Sequence, residues 1–289
     1  MLAMVRTIVA LSKLRILSLL VLVAGAGMVK AAEGLPSWPV VIAVLLGGAL
    51  AAAGSNAINQ GLDSDLDAMM TRTKGRPVPS RQVGRNAVLL GGAIAVGAAV
   101  VFMGLLANWL SALLTLSAAA IYVFIYTILM KRRSWNNIVI GGAAGALPPL
   151  IGAAAVTGVI DATGLYMFGL VFFWTPPHFW ALSLMIKDDY AAARVPMLSV
   201  VASRRATSTQ IVLYIILLGV MVWVPVAGGY AGLFYGITAA LLTIEWLRRS
   251  MAMLRNESRE TALSSYKFSI LWLYVIFAVL AVEPLLPWY

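Results

Sequence analysis

The chain contains no cysteine. Disulfides and thiolate metal sites are therefore excluded, and the redox compartment leaves no mark on the sequence. Charge is scarce too: only 11% of residues are charged, against 62% hydrophobic, with a mean hydropathy of +0.92. Such a composition excludes an ordinary soluble domain and defines a polytopic membrane protein. A pI near 10.1 is a property shared with nucleic-acid binders, but here the cations sit in short loops between apolar runs. That distribution argues against nucleic acid as a partner.

At roughly 20 apolar residues per span, the sequence predicts an all-α bundle of nine transmembrane helices in a single domain, 1–289. The expected spans are about 12–29, 38–58, 86–106, 109–130, 136–156, 164–186, 207–227, 229–249 and 267–287. The first reads as a retained helix rather than a cleaved signal, because Lys13 and Arg15 interrupt it. With the N-terminus inside, 20 of the 21 lysines and arginines fall on inner segments and only Lys30 lies outside. That asymmetry fixes the orientation: N-terminus cytoplasmic, C-terminus outside. No transit peptide precedes the first span, so the expected location is a prokaryotic plasma (inner) membrane.

One stretch organises the rest: Asn59 to Arg81, NQGLDSDLDAMMTRTKGRPVPSR. Asn59, Asp63 and Asp67 recur at intervals of four, which on a helix makes one stripe about 12 Å long. Asp65 falls on the opposite face. Two carboxylates and a carboxamide are hard oxygen ligands, suited to Mg²⁺. Arg72, Lys74 and Arg76 follow, cations suited to phosphate oxygens, with Arg81 farther on. A wet helix face beside a basic anchor is the plain alternative. Register plus cations favours a diphosphate held through Mg²⁺ in a cytoplasmic-side cavity.

Span six ends at Lys187, Asp188, Asp189 and Tyr190, on the same face as Asp63 and Asp67. Two acid clusters meeting there would hold two Mg²⁺ ions; a soluble loop cap is the other reading. Tyr126, Lys131, Arg132 and Asn137 gather where span four returns inside, able to reach the same phosphate or simply to form a turn. Gly141, Gly142, Gly145, Pro148 and Pro149 in one span, and Pro176-Pro177 in another, predict broken helices that line a cavity. The segments 187–206 and 250–266 read as loops long enough to cover an inner site. His178, the only histidine, lies about 15 Å deeper than Asp188 along a helix. Trp174, Phe179 and Trp180 surround it with aromatic surface. Either it is a core histidine serving backbone loosened by the prolines, or it meets a flat apolar acceptor.

The Asn59-Asp63-Asp67 pattern resembles the first acidic motif of the UbiA superfamily of intramembrane prenyltransferases. The continuations DAMMTRTKGRP (Asp67–Pro77) and TPPHFWAL (Thr175–Leu182), with NIVIGG at Asn137 and Asp189-Tyr190 before Val195-Pro196-Met197, resemble its haem-farnesylating branch. The similarity runs from about Ser12 to the last span. It departs at the second acidic motif, where Leu184 and Met185 stand four places before Asp188 and Asp189, and at Leu14, Arg194 and Ser199, where proline, glycine and proline are common.

The resemblance implies transfer of farnesyl from farnesyl diphosphate to a vinyl group of haem b, with haem O as product and Mg²⁺ as cofactor. It implies Asp63, Asp67 and His178 as catalytic residues and Asn59, Asp63, Asp67, Asp188 and Asp189 as metal ligands. Arg72, Lys74, Arg76, Tyr126, Lys131, Arg132, Asn137, His178, Trp180, Lys187 and Tyr190 would contact substrate. Implied partners are the bilayer and a haem A synthase or terminal-oxidase assembly factor. His178 becomes a candidate axial ligand of the haem iron. A quinone precursor or other aromatic acceptor is the alternative substrate. A secondary transporter is the alternative class, against which the acids sit at one surface rather than at the midplane.

Overall fold

A computed structural model describes Thr7, Ala10–Ser12 and Leu14–Leu286, with the side chains of Leu14, Arg15 and Ile16 excepted. Arg6 and Lys13, two of the expected inner cations, lie outside the described residues. The long helices are α1 (Leu14–Ala32), α2 (Trp38–Leu62), α4 (Arg85–Leu106), α5 (Trp109–Met130), α6 (Asn137–Thr157), α7 (Ala162–Met185), α10 (Arg204–Met221), α12 (Leu233–Arg255) and α13 (Arg259–Val282). Short helices α3 (Ser64–Met69), α8 (Lys187–Ala192), α9 (Leu198–Val201) and α11 (Val224–Ala227) sit between them, and no strand occurs among the described residues. Among the described residues six helices are long and apolar enough to cross a membrane: α2, α4, α5, α6, α10 with its extension to Ala227, and α13 with its extension to Leu285. Aromatic, proline and histidine content dilutes α7; Glu245, Arg248, Arg249 and Arg255 dilute α12.

Each long helix touches the next in chain order, and α13 returns to α1, so the helices form a closed ring. The two most extensive contacts that cut across it are α1 with α6 and α7 with α13. The first cut is unusually tight. A Cβ on Gly27 would come within 2.1 Å of the Pro149 carbonyl oxygen, and one on Gly152 within 2.1 Å of that of Ala24. Only glycine lets these backbones approach so closely.

The cuts divide the ring into unlike halves. Around α7, α10, α12 and α13 the interior is filled by Trp180, Tyr235, Trp246, Trp272 and Phe277, all fully buried. Two indole N–H groups there find partners, Trp246 donating to Ser265 Oγ at 3.1 Å and Trp272 to Thr243 Oγ1 at 2.9 Å, while that of Trp180 has no hydrogen-bond partner. Between α1, α2, α5 and α6 the wall is built from small residues, and a cavity of about 380 Å³ remains.

Three expectations change. The proline pairs do not break their helices: α6 runs through Pro148-Pro149 and α7 through Pro176-Pro177. Pro148 and Pro149 do withhold N–H donors from the Ala144 and Gly145 carbonyls, and Pro148 borders the cavity. The expected loop 250–266 is mostly helix, because α12 and α13 extend as polar helices until only 256–258 connects them. Ser258 caps α13 by accepting from Thr261 N at 3.2 Å. Finally, α1 continues to Ala32, so Lys30 is buried in its last turn rather than in a loop.

Candidate active site

Helix α2 delivers the acidic stretch. It contains a π turn at Ala43–Gly47, and α5 is π-helical over Ile121–Met130. In the latter Lys131 N bonds to Tyr126 O at 2.8 Å. Such turns recur at functional sites, and these two carry Val44, Tyr122 and Tyr126 to the cavity wall. Nothing in the apolar pattern announced them.

At Asp63 the helix pauses (φ −94°, ψ 10°) before α3 begins. The i to i+4 bonds persist, Asp63 N to Asn59 O at 2.9 Å and Asp67 N to Asp63 O at 2.8 Å. The three side chains nevertheless do not share one surface. Asn59 and Asp67 border the cavity; Asp63 is fully buried beside it and faces a second pocket with Ser64, Thr127 and Arg132. Asp63 Oδ2 accepts from Asn59 Nδ2 at 2.7 Å and from Lys131 Nζ. Its Oδ1 has no hydrogen-bond partner, and Arg132 Nη2 lies 3.8 Å from it. Asn59 also donates to Thr127 Oγ1 at 3.0 Å. Both oxygens of Asp67 accept from Arg76 Nη1, at 2.9 and 2.8 Å.

Arg72, Arg76, Lys131, Tyr126 and Tyr190 join Asn59 and Asp67 at the polar end of the cavity. Tyr122 and Tyr126 stack there with ring centres 5.6 Å apart. Lys131 Nζ lies 5.9 Å from the Tyr126 ring centre. Burial pushes the Tyr190 phenol above its ordinary pKa, with Arg72 beside it pulling the other way. Beyond them the lining is Ala, Gly and aliphatic, for example Ala52, Ala119, Gly145 and Ile151. A Cβ on Gly141 would lie 2.4 Å from the Tyr126 ring, so glycine there gives the ring its place.

The segments that carry the two acid clusters touch, but the carboxylates do not converge, and neither Asp188 nor Asp189 borders the cavity. Asp189 accepts from the backbone N–H groups of Thr71 and Arg72 at 3.1 and 3.4 Å. Leu66 and Met70 form an apolar cluster with Ile138, Tyr190, Val195 and Met197, which ties the segment after α7 across the mouth. Asp188, Lys187 and Lys74 border none of the cavity. Arg132 is taken up by Asp65, with two bonds of 2.7 Å that hold this carboxyl below its usual range. Asn137 is fully buried, with neither amide atom partnered.

Helix α7 presents two faces. Thr175 and Phe179 border the cavity. Trp174 and His178, one position earlier in each turn, face α13 instead. His178 stacks between Trp174 and Tyr266, with ring centres 4.2 and 4.9 Å away, and its Nδ1 lies 2.6 Å from Ser269 Oγ. Trp180 is buried in the aromatic core against Tyr214.

Among the described residues no three His, Cys, Asp or Glu side chains converge on one point. An all-protein metal cage is thus absent from them. Mg²⁺ commonly takes one or two carboxylates and completes its shell with water and substrate phosphates. Asp67, Asn59 and Asp63 Oδ1 are the oxygen donors of that kind here.

A cavity with a polar, cation-lined end and an apolar body, inside an all-helical membrane bundle, is what an intramembrane prenyltransferase requires. Residues 19–281 match the UbiA prenyltransferase family, and the chain belongs to it. It is similar to proteins named protoheme IX farnesyltransferase: one from Thermus thermophilus is 49% identical over 280 residues, 96% of this chain and 46% of that protein. That of Synechococcus elongatus is 47% identical over 278 residues, 94% of this chain and 86% of that protein. The chain therefore spans about half the length of the Thermus relative. The fold matches a digeranylgeranylglyceryl phosphate synthase structure (TM-score 0.81, 16% identity, 98% and 99% of the two chains). It also matches an Archaeoglobus fulgidus UbiA homologue bound to DMAPP and Mg²⁺ (TM-score 0.65, 16% identity, 96% and 99%).

Proposed function

We propose that the chain is a Mg²⁺-dependent prenyltransferase that moves farnesyl from farnesyl diphosphate to a vinyl group of protoheme IX (haem b), releasing diphosphate and forming haem O. The observation that carries this reading is the cavity itself: Asp67, Arg72, Arg76 and Lys131 at one end, a small-residue apolar body behind them. The names of the relatives support farnesyl and haem as substrates.

Breaking the allylic C–O bond leaves a delocalised cation and a diphosphate. Arg72, Arg76 and Lys131 are placed to neutralise the charge growing on that leaving group. Mg²⁺ bound by Asn59, Asp63 and Asp67 would supply Lewis-acid stabilisation of the same oxygens. The Tyr122–Tyr126 pair and the apolar wall shelter the farnesyl cation from water. The vinyl carbon attacks it, and water adds to the resulting cation, leaving a hydroxyl and a proton.

In this reading Lys74, Lys187 and Arg132 supply outer positive charge. Asp189, placed by the Thr71 and Arg72 amides, and its neighbour Asp188 would hold a second Mg²⁺. His178 would orient the haem, with Trp180 and Asn137 as further substrate contacts. Ser269 Oγ donates to Tyr266 O at 2.6 Å, so it accepts from His178 Nδ1–H and leaves Nε2 as the ligating nitrogen. Optical spectra of haem-loaded wild type and His178→Ala test this: a shifted Soret band is expected, and identical bands and affinities exclude ligation.

We further place all nine long helices across a prokaryotic plasma membrane as one domain, with the site on the cytoplasmic side. The distribution of lysine and arginine supports this orientation. A haem A synthase or terminal-oxidase assembly factor would receive the product. The deciding experiment gives purified protein farnesyl diphosphate and Mg²⁺ with haem b and a quinone precursor in competition. Mg²⁺-dependent diphosphate release with farnesylated haem is expected. A prenylated quinone precursor, or no release, overturns the assignment.

A further inference from the structure

Asp63 and Asp67 are each hydrogen-bonded to one cation that could serve an anion instead, with Arg132 a longer 3.8 Å from Asp63. Asp67 is 2% exposed, and both its oxygens are engaged by Arg76. Asp63 is 0% exposed and is engaged through Oδ2 by Lys131. Arg76 and Lys131 also border the cavity, so each stands between a carboxylate and the space open to a phosphate. A buried charge stripped of its partner is strongly disfavoured. A divalent cation at Asp67 takes the lone pairs that Arg76 uses, and the displaced guanidinium then needs an anion. A diphosphate supplies one.

We propose that Arg76 and Lys131 are exchangeable counter-ions, which hold Asp67 and Asp63 or the diphosphate but not both, and thereby make cation and diphosphate bind cooperatively. This rests on the reading of the cavity as a Mg²⁺–diphosphate site. Fixed electrostatics predicts something else. A static Arg76 weakens cation binding and strengthens diphosphate binding, but it leaves the coupling between the two unchanged. Exchange makes the coupling itself depend on Arg76 and Lys131. It also explains why two acids near a cavity mouth carry two neighbouring cations without a closed metal cage. The acids and cations are neutral as pairs, and after re-pairing the same four groups offset two charges on each incoming ligand.

The test measures Mn²⁺ and inorganic pyrophosphate binding to the full chain in lipid nanodiscs, separately and together, with their association in solution subtracted. Wild type should show coupling of about 5–150-fold. Arg76→Gln and Lys131→Gln should each reduce that coupling severalfold. Arg133→Gln removes the same charge two residues from Lys131, but Arg133 forms no ion pair with either carboxylate among the described residues, and the variant should leave the coupling unchanged. Arg76→Lys, which keeps the charge but loses the paired contact, should fall between, and it stands in if Arg76→Gln does not fold. Wild-type coupling in Arg76→Gln or in Lys131→Gln overturns the exchange. If wild type binds no Mn²⁺ even with pyrophosphate, the diphosphate reading falls instead.

Discussion

The two halves of the ring use the same helical architecture to opposite ends. Around α7, α10, α12 and α13, large aromatic side chains meet in the middle and consume the space. Between α1, α2, α5 and α6, alanine and glycine line the wall, and the space stays open. Small side chains along that wall thus leave the space that aromatic side chains fill in the other half. Substitutions should therefore act in opposite ways: truncation harms the filled half, and enlargement harms the open one.

Trp272→Ala should have the largest effect. Its side chain is fully buried and its indole N–H is bonded to Thr243, so the loss is about 3–5 kcal/mol of stability. Unfolding in detergent measures it, and the protein that stays folded should bind farnesyl diphosphate normally. Asp67→Asn should do the reverse, preserving the fold while slowing diphosphate release roughly 10²–10³-fold, about 3–4 kcal/mol of transition-state stabilisation. Asp65→Asn, outside the cavity, should be mild. Equal losses at Asp65 and Asp67 would erase the distinction between the two faces of that helix.

Gly145→Leu sharpens the comparison. Gly145 borders the cavity, and a Cβ there meets nothing within 4 Å, so the new side chain enters open space. Stability should change by less than about 1 kcal/mol, while affinity for farnesyl diphosphate falls about tenfold or more, the equivalent of roughly 1.4 kcal/mol. A large loss of stability with normal affinity would show that the cavity is not where the chain binds. The smallest effect belongs to Arg194→Gly. Arg194 has φ +54°, the left-handed region that costs a non-glycine residue about 1–2 kcal/mol. Glycine should raise the unfolding temperature slightly and leave turnover alone.

Arg194 also shows what sequence can and cannot carry. Its departure from a common glycine was visible, but only the backbone angle says why glycine is common. The i to i+4 backbone register of Asn59, Asp63 and Asp67 was likewise legible from spacing, because short-range helical geometry is fixed by residue number. The separation of Asp63 from the cavity was not legible, since it depends on Lys131 arriving from the end of α5, 68 residues away. His178 fails in the same manner. Periodicity separates 174 and 178 from 175 and 179, but it does not say which pair meets the cavity and which meets α13. The polar ends of α12 and α13 were lost for a different reason: a search for apolar runs stops where the lipid does, while the helix continues into water.

The central claim is that the open half holds a prenyl diphosphate with its charged end between Asp67, Arg76 and Lys131. Its most direct test is a structure of the protein with farnesyl thiodiphosphate and Mn²⁺, with the metal located by anomalous scattering. The account predicts a Mn²⁺ peak at the Asp63 and Asp67 carboxylates and a farnesyl chain running along Ala52, Ala119 and Gly145. A metal peak away from both carboxylates, or a prenyl chain lodged elsewhere on the ring, would contradict it.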